Sequence, residues 1–259
     1  MRFFLFLESV VFPLAFLLLA AMLVWDFVKP LERPIAGKDT RLGAVGVLID
    51  LLANPDKLAA GESKVQLYAV VANWLIRPAL ILVFNILCAA FIAFRTRLSY
   101  TPATIREVLV PIAGTTIIFL VPLAELLPDW VGRQLRYPPA WVLPVSVAGA
   151  VIATVGILVA IYGLLYLRRN FSVFVEVREV VLTGPYRFVR HPLYIGEILM
   201  VAGIVLSSPS VFRIAIFVAL VLFQIWRAKM EESHLAAASP EYAARMKVTG
   251  MFLPRFGRA

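Results

Sequence analysis

The stretch YPPAWVLPVSVAGAVIATVGILVAIYGLLYL, residues Tyr137 to Leu167, contains no charged residue over 31 positions. A helix needs about 20 apolar residues to cross the hydrocarbon core of a bilayer. The whole chain is 61% hydrophobic and 16% charged, with a mean hydropathy of +0.88. Soluble domains contain about 45–50% apolar and about 25% charged residues. These values predict an integral membrane protein.

Further apolar runs lie on both sides of this stretch. A backbone in lipid must satisfy its own hydrogen bonds, which favours helices over isolated strands. We therefore predict an all-α, polytopic transmembrane bundle of about six spans, with the polar segment 28–64 at the membrane interface. The predicted helices cover about 3–27, 66–94, 106–125, 140–167, 193–207 and 210–234. The first is interpreted as a retained helix, because no clear small-residue cleavage site follows it.

The last two helices are predicted to form a C-terminal hairpin, because the linker Ser207–Ser210 is too short for any arrangement except side by side. The hairpin brings the connector 168–191 and the tail after Trp226 to one face. These segments hold five and six Lys/Arg residues, which the positive-inside rule assigns to the cytoplasm. Segment 28–64 holds six more Lys/Arg residues, but six full spans would place it on the opposite side of the membrane, against the rule. One element would therefore be re-entrant or interfacial.

The net charge of +9 is interpreted as basic loops that meet the cytoplasm and anionic lipid. No platform of alternating aromatic and basic residues indicates nucleic-acid binding. Cys88 is the sole cysteine, so the sequence predicts neither a disulfide framework nor a thiolate metal site.

The connector carries the stretch TGPYRFVRHPLYIGE, residues 183–197, between two apolar runs. Its Gly-Pro pair indicates a turn, and Pro192 suits the first turn of a helix. The N–H groups at this helix start can bind a carboxylate, with His191, Tyr186 and Tyr194 beside them. The alternative is an interfacial belt, since Tyr, Arg and His commonly mark where a helix enters lipid.

The extension of the last helix places Arg227, Glu231 and His234 on one face, at spacings of about four and seven residues. A carboxylate there can hold an amino group, and a guanidinium can hold an anionic or carbonyl oxygen. The alternative is a solvated amphipathic tail.

Together these stretches resemble the isoprenylcysteine carboxyl methyltransferase family, whose wider group includes phospholipid N-methyltransferases. TGPYRFVRHPLYIGE is followed by the predicted hairpin, then by RAKMEESHL and PEYAARMKVTGMFLP, in order. The resemblance covers about residues 165–256. It implies a membrane methyltransferase core at 165–259 behind N-terminal transmembrane helices at 1–164, and location in the bacterial inner membrane with the cofactor pocket facing the cytosol.

The resemblance also implies the cofactor S-adenosylmethionine, a lipid or prenylated substrate that arrives from the bilayer, and no metal. Arg227 would face the methyl acceptor and, with Glu231, act in catalysis. The implied cofactor-binding residues are Glu179, Val180, Val181, Tyr186, His191, Pro192, Leu193, Tyr194 and Glu231.

The chain departs from the family pattern at Ala238-Ser239-Pro240 and at Arg245, so the tail is expected to dock differently. A carboxylate acceptor needs no general base, whereas an amine acceptor does, and Glu197 and Glu232 are the candidates for it. Two other hypotheses stay open: an NADPH-dependent enzyme of the sterol-reductase kind, and a non-enzymatic membrane protein whose basic patch binds anionic lipid.

Overall fold

The computed structural model describes residues 10–28, 76–94, 104–118, 120–121, 127, 135–173 and 180–255. These residues are mostly helical and include no β-strand, which confirms the all-α class. Most of the predicted interfacial segment, residues 29–64, lies outside the described residues, as does Glu179. The helices are α1 (Phe12–Val28), α2 (Arg77–Ala93), α3 (Arg106–Thr116), α4 (Pro139–Leu167), α5 (Pro192–Ser207), α6 (Val211–Ala238) and α7 (Pro240–Val248).

Two described helices have the length and composition of a membrane span. α4 has 29 residues and α6 has 28, and only 28% of the most apolar part of each is buried within the protein. Large exposed side chains such as Val155 and Leu222 are suited to lipid. α2 and α5 are apolar but have only 17 and 16 residues. The count of about six spans therefore remains a prediction.

The helix ends follow from local sequence chemistry. α4 begins at Pro139, whose missing N–H is not needed in a first turn. α6 begins after Ser210, whose hydroxyl accepts a hydrogen bond of 3.1 Å from the backbone N–H of Arg213. In the same way, the Ser239 hydroxyl caps α7 by accepting from the N–H of Tyr242 at 3.2 Å.

The α-helix predicted over 106–125 is shorter in the structure, where α3 ends at Thr116. Gly114 and two threonines occupy its last turn, and these residues have weak helix propensity. The Thr116 hydroxyl also donates to the carbonyl of Ile112 at 2.8 Å, a back-bond that weakens a helix.

Among the described helices, α4 and α5 pack against each other most extensively. Both helices place glycines at the contact, so that their backbones nearly touch. A Cβ added to Gly156 would lie 2.8 Å from the carbonyl oxygen of Gly196, and one added to Gly203 would lie 2.8 Å from Cα of Ala153. Small residues allow such approach between membrane helices. This contact fixes the position of α5 against α4.

Residues 239–255, here called the C-terminal cap, fold back onto the connector. The cap consists of α7 and the turn that follows it. Arg190 N–H donates to the carbonyl of Gly250 at 3.0 Å, and His191 N–H donates to that of Met251 at 3.1 Å. The cap therefore reaches the start of α5 from the far end of α6.

Candidate active site

An open cavity lies where the start of α5, the extension of α6 and the cap meet. Its empty volume is about 800 Å³, which includes the solvent-filled space at its mouth. The walls combine apolar side chains with a few charged and hydroxyl groups. The lining residues are Leu167, Asn170, Phe171, Ser172, Val180, Val181, Tyr186, Arg190, His191, Leu193, Tyr194, Arg227, Glu231, Leu235 and Tyr242.

Eight of the predicted site residues lie in this wall: Val180, Val181, Tyr186, His191, Leu193, Tyr194, Arg227 and Glu231. Pro192 is buried at the start of α5 but does not line the cavity. His234 does not line it either. Its Nε2 lies 3.7 Å from Oε1 of Glu107 on α3, because three further residues carry it to the side of α6 that faces α3.

Glu231 of α6 contacts the residues at the start of α5. Its Oε1 accepts from the Tyr194 hydroxyl, and from Arg227 Nε at 3.1 Å. Its Oε2 has no hydrogen bond within the described part of the chain and lies 3.8 Å from Nδ1 of His191. The Glu231 side chain is 21% exposed, so this carboxylate keeps one oxygen available to a ligand.

His191 is held in one orientation by a second carboxylate. Glu232 Oε1 lies 3.1 Å from His191 Nε2 and also accepts from Arg190 Nε at 2.6 Å. In the Nε2–H tautomer the ring donates to Glu232, and Nδ1 faces Glu231 as an acceptor. The ring also stacks on Tyr194, with centroids 5.2 Å apart and planes inclined by 5°.

Arg227 is buried and holds the opposite wall. Its Nη2 donates to the carbonyls of Ser172 at 3.1 Å and Val173 at 3.0 Å. Its Nη1 donates to the Thr115 hydroxyl at 3.0 Å, and its guanidinium lies 5.0 Å from the Tyr194 ring centroid. Arg227 of α6 therefore connects α3 and the segment after α4 at the wall of the cavity.

Tyr186 presents a buried hydroxyl that has no hydrogen-bond partner among the described residues. Burial, together with the charge of Glu231, raises the pKa of Tyr186 well above its ordinary value, so the hydroxyl stays protonated and able to donate. The turn that carries it depends on Gly184, whose φ is +60° and whose added Cβ would meet the Tyr166 ring. Only glycine adopts this conformation readily.

Sequence reasoning missed the roles of Arg190 and Glu232. Arg190 stands inside the RHP motif, and its Nη1 donates to the carbonyls of Met246 and Thr249 in the cap. Glu232 was considered only as a base. Adjacent residues on a helix point about 100° apart. The expected contact between residues 190–192 and α6 therefore did not indicate which partner Glu231 and Glu232 would each meet.

Neither base candidate lines the cavity. Glu232 is engaged by Arg190 and His191. Glu197 is half-buried one turn into α5, where it accepts from Gln224 Nε2 at 2.5 Å.

Comparison with known proteins agrees with the family resemblance of the sequence. The model of the phospholipid methyltransferase family matches residues 145–240, which confirms the resemblance to the isoprenylcysteine and phospholipid membrane methyltransferase group over this segment. The cobalt-zinc-cadmium resistance protein CzcN of Cupriavidus metallidurans is 32% identical over 127 residues, or 46% of this chain and 54% of that protein. The chain thus spans about half the length of this curated relative. No solved structure matches.

Proposed function

We propose that this chain, with its phospholipid methyltransferase match at 145–240, transfers a methyl group from S-adenosylmethionine to a lipid-soluble acceptor. The acceptor is most like the carboxylate of an isoprenylated cysteine. One observation carries the proposal. His191 and Tyr194 at the start of α5 meet Glu231 and Arg227 of α6 around a single open cavity, with His191 Nδ1 only 3.8 Å from Glu231 Oε2.

The donor set of the cavity fits the cofactor. Oε2 of Glu231 is an acceptor, and Nδ1 of His191 is a second one in the Nε2–H tautomer. Together they suit an ammonium group with its three N–H donors. The unpartnered Tyr186 hydroxyl can donate to a carboxylate or a ribose oxygen. Leu193, Val181 and other apolar wall residues suit a planar base.

When bound there, S-adenosylmethionine supplies a methyl group on a positively charged sulfur. The residues of the chain act by binding, orienting and excluding water. Glu232 fixes the His191 ring, and Glu231 fixes the Tyr194 ring through its hydroxyl. The cavity wall is therefore held in place before a ligand arrives.

Arg227 is proposed to face the acceptor. Four of its N–H groups donate to Glu231, Thr115, Ser172 and Val173. A guanidinium has five N–H donors, so within the described part of the chain one on Nη1 remains for an acceptor oxygen. This suits a carboxylate acceptor, whose methylation needs no base.

A phospholipid or other small-lipid N- or S-methyltransferase is the alternative, favoured by the description of the family that matches residues 145–240. In either case we propose about six spans, a C-terminal hairpin formed by α5 and α6, and a cavity that faces the cytosol at the bacterial inner membrane. The excess of Lys and Arg in the connector and the tail supports this orientation.

The test is cofactor binding to the purified full chain in detergent. Tritiated S-adenosylmethionine should bind, and NADPH should not. Glu231→Gln preserves shape but removes the charge, and hydrogen bonds to charged groups contribute about 1.5–3 kcal/mol. We therefore expect affinity to fall about 10- to 100-fold.

Glu241→Gln is the matched control, since Glu241 is an exposed glutamate in the first turn of α7. NADPH binding would favour a reductase, and binding of neither cofactor would favour a non-enzymatic protein. Mass spectrometry of lipids and prenylated peptides from cells with and without the protein would identify the acceptor.

A further inference from the structure

The C-terminal cap folds back to lie beside the start of α5, where that apolar helix begins. Glu232 contacts His191, the residue just before α5. From Glu232, α6 continues to Ala238, about 9 Å farther at 1.5 Å per residue. α7 then runs back, and residues 250–251 pair with 190–191 through backbone hydrogen bonds. The turn after α7 therefore lies beside the start of an apolar helix.

The outer surface at this level combines basic and large apolar side chains. Phe188, Val248 and Leu253 are 59%, 64% and 79% exposed. Three exposed basic residues accompany them, and together these six residues are called the cap patch. The basic members are Arg187, Lys247 and Arg255.

Contacts within the cap patch hold its charges among its apolar groups. The Arg187 guanidinium lies 5.0 Å from the ring centroid of Phe188. Arg255 Nη1 donates to the carbonyls of Met246 and Lys247, at 3.3 and 2.6 Å, at the end of α7. The described acidic residue of α7, Glu241, lies in its first turn, at the opposite end of the helix.

We propose that the cap patch inserts into the headgroup layer of an anionic bilayer. Exposed apolar groups beside basic residues are the arrangement by which a surface helix binds anionic lipid. A second copy of this chain is a poorer occupant, because a symmetric contact would bring two positive patches together. The proposal concerns the membrane surface and does not depend on the identity of the methyl acceptor.

Lipid binding at the cap patch also acts on the cavity. Tyr242 of α7 lines the cavity, and Arg190 holds the cap through the carbonyls of Met246 and Thr249. An anionic headgroup layer that holds the cap down therefore stabilises one wall of the cavity.

The test labels the full chain in nanodiscs with an environment-sensitive fluorophore at Leu253→Cys. The native Cys88 is fully buried, so the unmutated chain serves as the labelling blank. Glu241→Cys is the matched control at the other end of α7. Phosphatidylcholine nanodiscs are compared with nanodiscs that also contain phosphatidylglycerol.

The label at 253 should be quenched by spin labels attached to lipid headgroups, and more strongly with phosphatidylglycerol, whereas the label at 241 should be quenched by a water-soluble agent. Lys247→Glu should lower the partition coefficient of the cap patch into phosphatidylglycerol headgroups about 25-fold. Each basic charge contributes about fivefold, and a charge reversal changes the charge by two. A label at 253 that only the water-soluble agent reaches would overturn the proposal. So would a label shielded from both agents, which would indicate a protein partner.

Hydrogen exchange of the unmutated chain gives a second measurement that needs no variant. Amides of residues 246–253 should exchange more slowly in phosphatidylglycerol than in phosphatidylcholine nanodiscs, and added salt should remove the difference. Equal exchange in the two lipids would also overturn the proposal.

Discussion

Replacing Glu232 by Gln tests whether this residue positions His191. The change keeps the volume of the side chain and removes its charge. Oε1 of Glu232 accepts from Arg190 Nε at 2.6 Å and is 3.1 Å from His191 Nε2, and the Glu232 side chain is only 6% exposed. Both hydrogen bonds are therefore made to a charged acceptor in a protected place.

The expected loss follows from these two bonds. A hydrogen bond to a charged group contributes about 1.5–3 kcal/mol, and a neutral one about 0.5–1.5 kcal/mol, so each bond weakens by about 1 kcal/mol. Arg190 keeps the carbonyls of Met246 and Thr249, so its charge is not left without partners. We expect the free energy of unfolding to fall by about 2 kcal/mol, and cofactor affinity to fall about tenfold because the His191 ring is less firmly oriented.

Thermal unfolding and titration with S-adenosylmethionine, both on the purified protein in detergent, measure the two effects. Ser233→Ala is the control, because this neighbouring hydroxyl donates only to the carbonyl of Met230 on an exposed surface. Unchanged affinity together with reduced stability would show that Glu232 supports the fold without positioning His191. Wild-type values for both would refute the reasoning altogether.

Three further changes test the packing and the cavity. Gly156→Val should lower the melting temperature, with a cost of about 1–3 kcal/mol, because its Cβ has no room against α5; Val155→Ala, at a 48% exposed position, should have little effect on the same melt. Gly184→Ala should cost about 1–2 kcal/mol, since φ is +60° and the new methyl would meet Tyr166; a melting temperature equal to wild type would contradict this. Tyr186→Phe removes a buried hydroxyl without a described partner, so stability should hold or rise while calorimetric affinity for S-adenosylmethionine falls; unchanged affinity would remove this hydroxyl from the cofactor site.

Parts of the fold followed directly from local sequence. The charge-free run predicted a helix at about 140–167, and α4 covers Pro139–Leu167. Pro192 marked the start of α5. The short linker after Ser207 led us to expect the connector near the α6 extension, and His191 lies 3.8 Å from Glu231.

Other parts depended on which elements are neighbours. The glycines of α4 and α5 have a clear role only once these two helices are known to touch. The same holds for the pairing of the cap with the connector, because the isolated bridge between Val189 and Gly250 leaves no alternating pattern in the sequence. The role of Glu232 was missed because its partners, Arg190 and His191, lie about 40 residues away along the chain.

The glycine contact between α4 and α5 also limits how the protein can open. With backbone against backbone, no layer of side chains can repack as one helix slides past the other, so the pair behaves as a single rigid frame. His191 and Tyr194 stand on this frame. Any widening of the cavity is therefore expected on the other side, where α6 and the cap carry Glu231 and Tyr242.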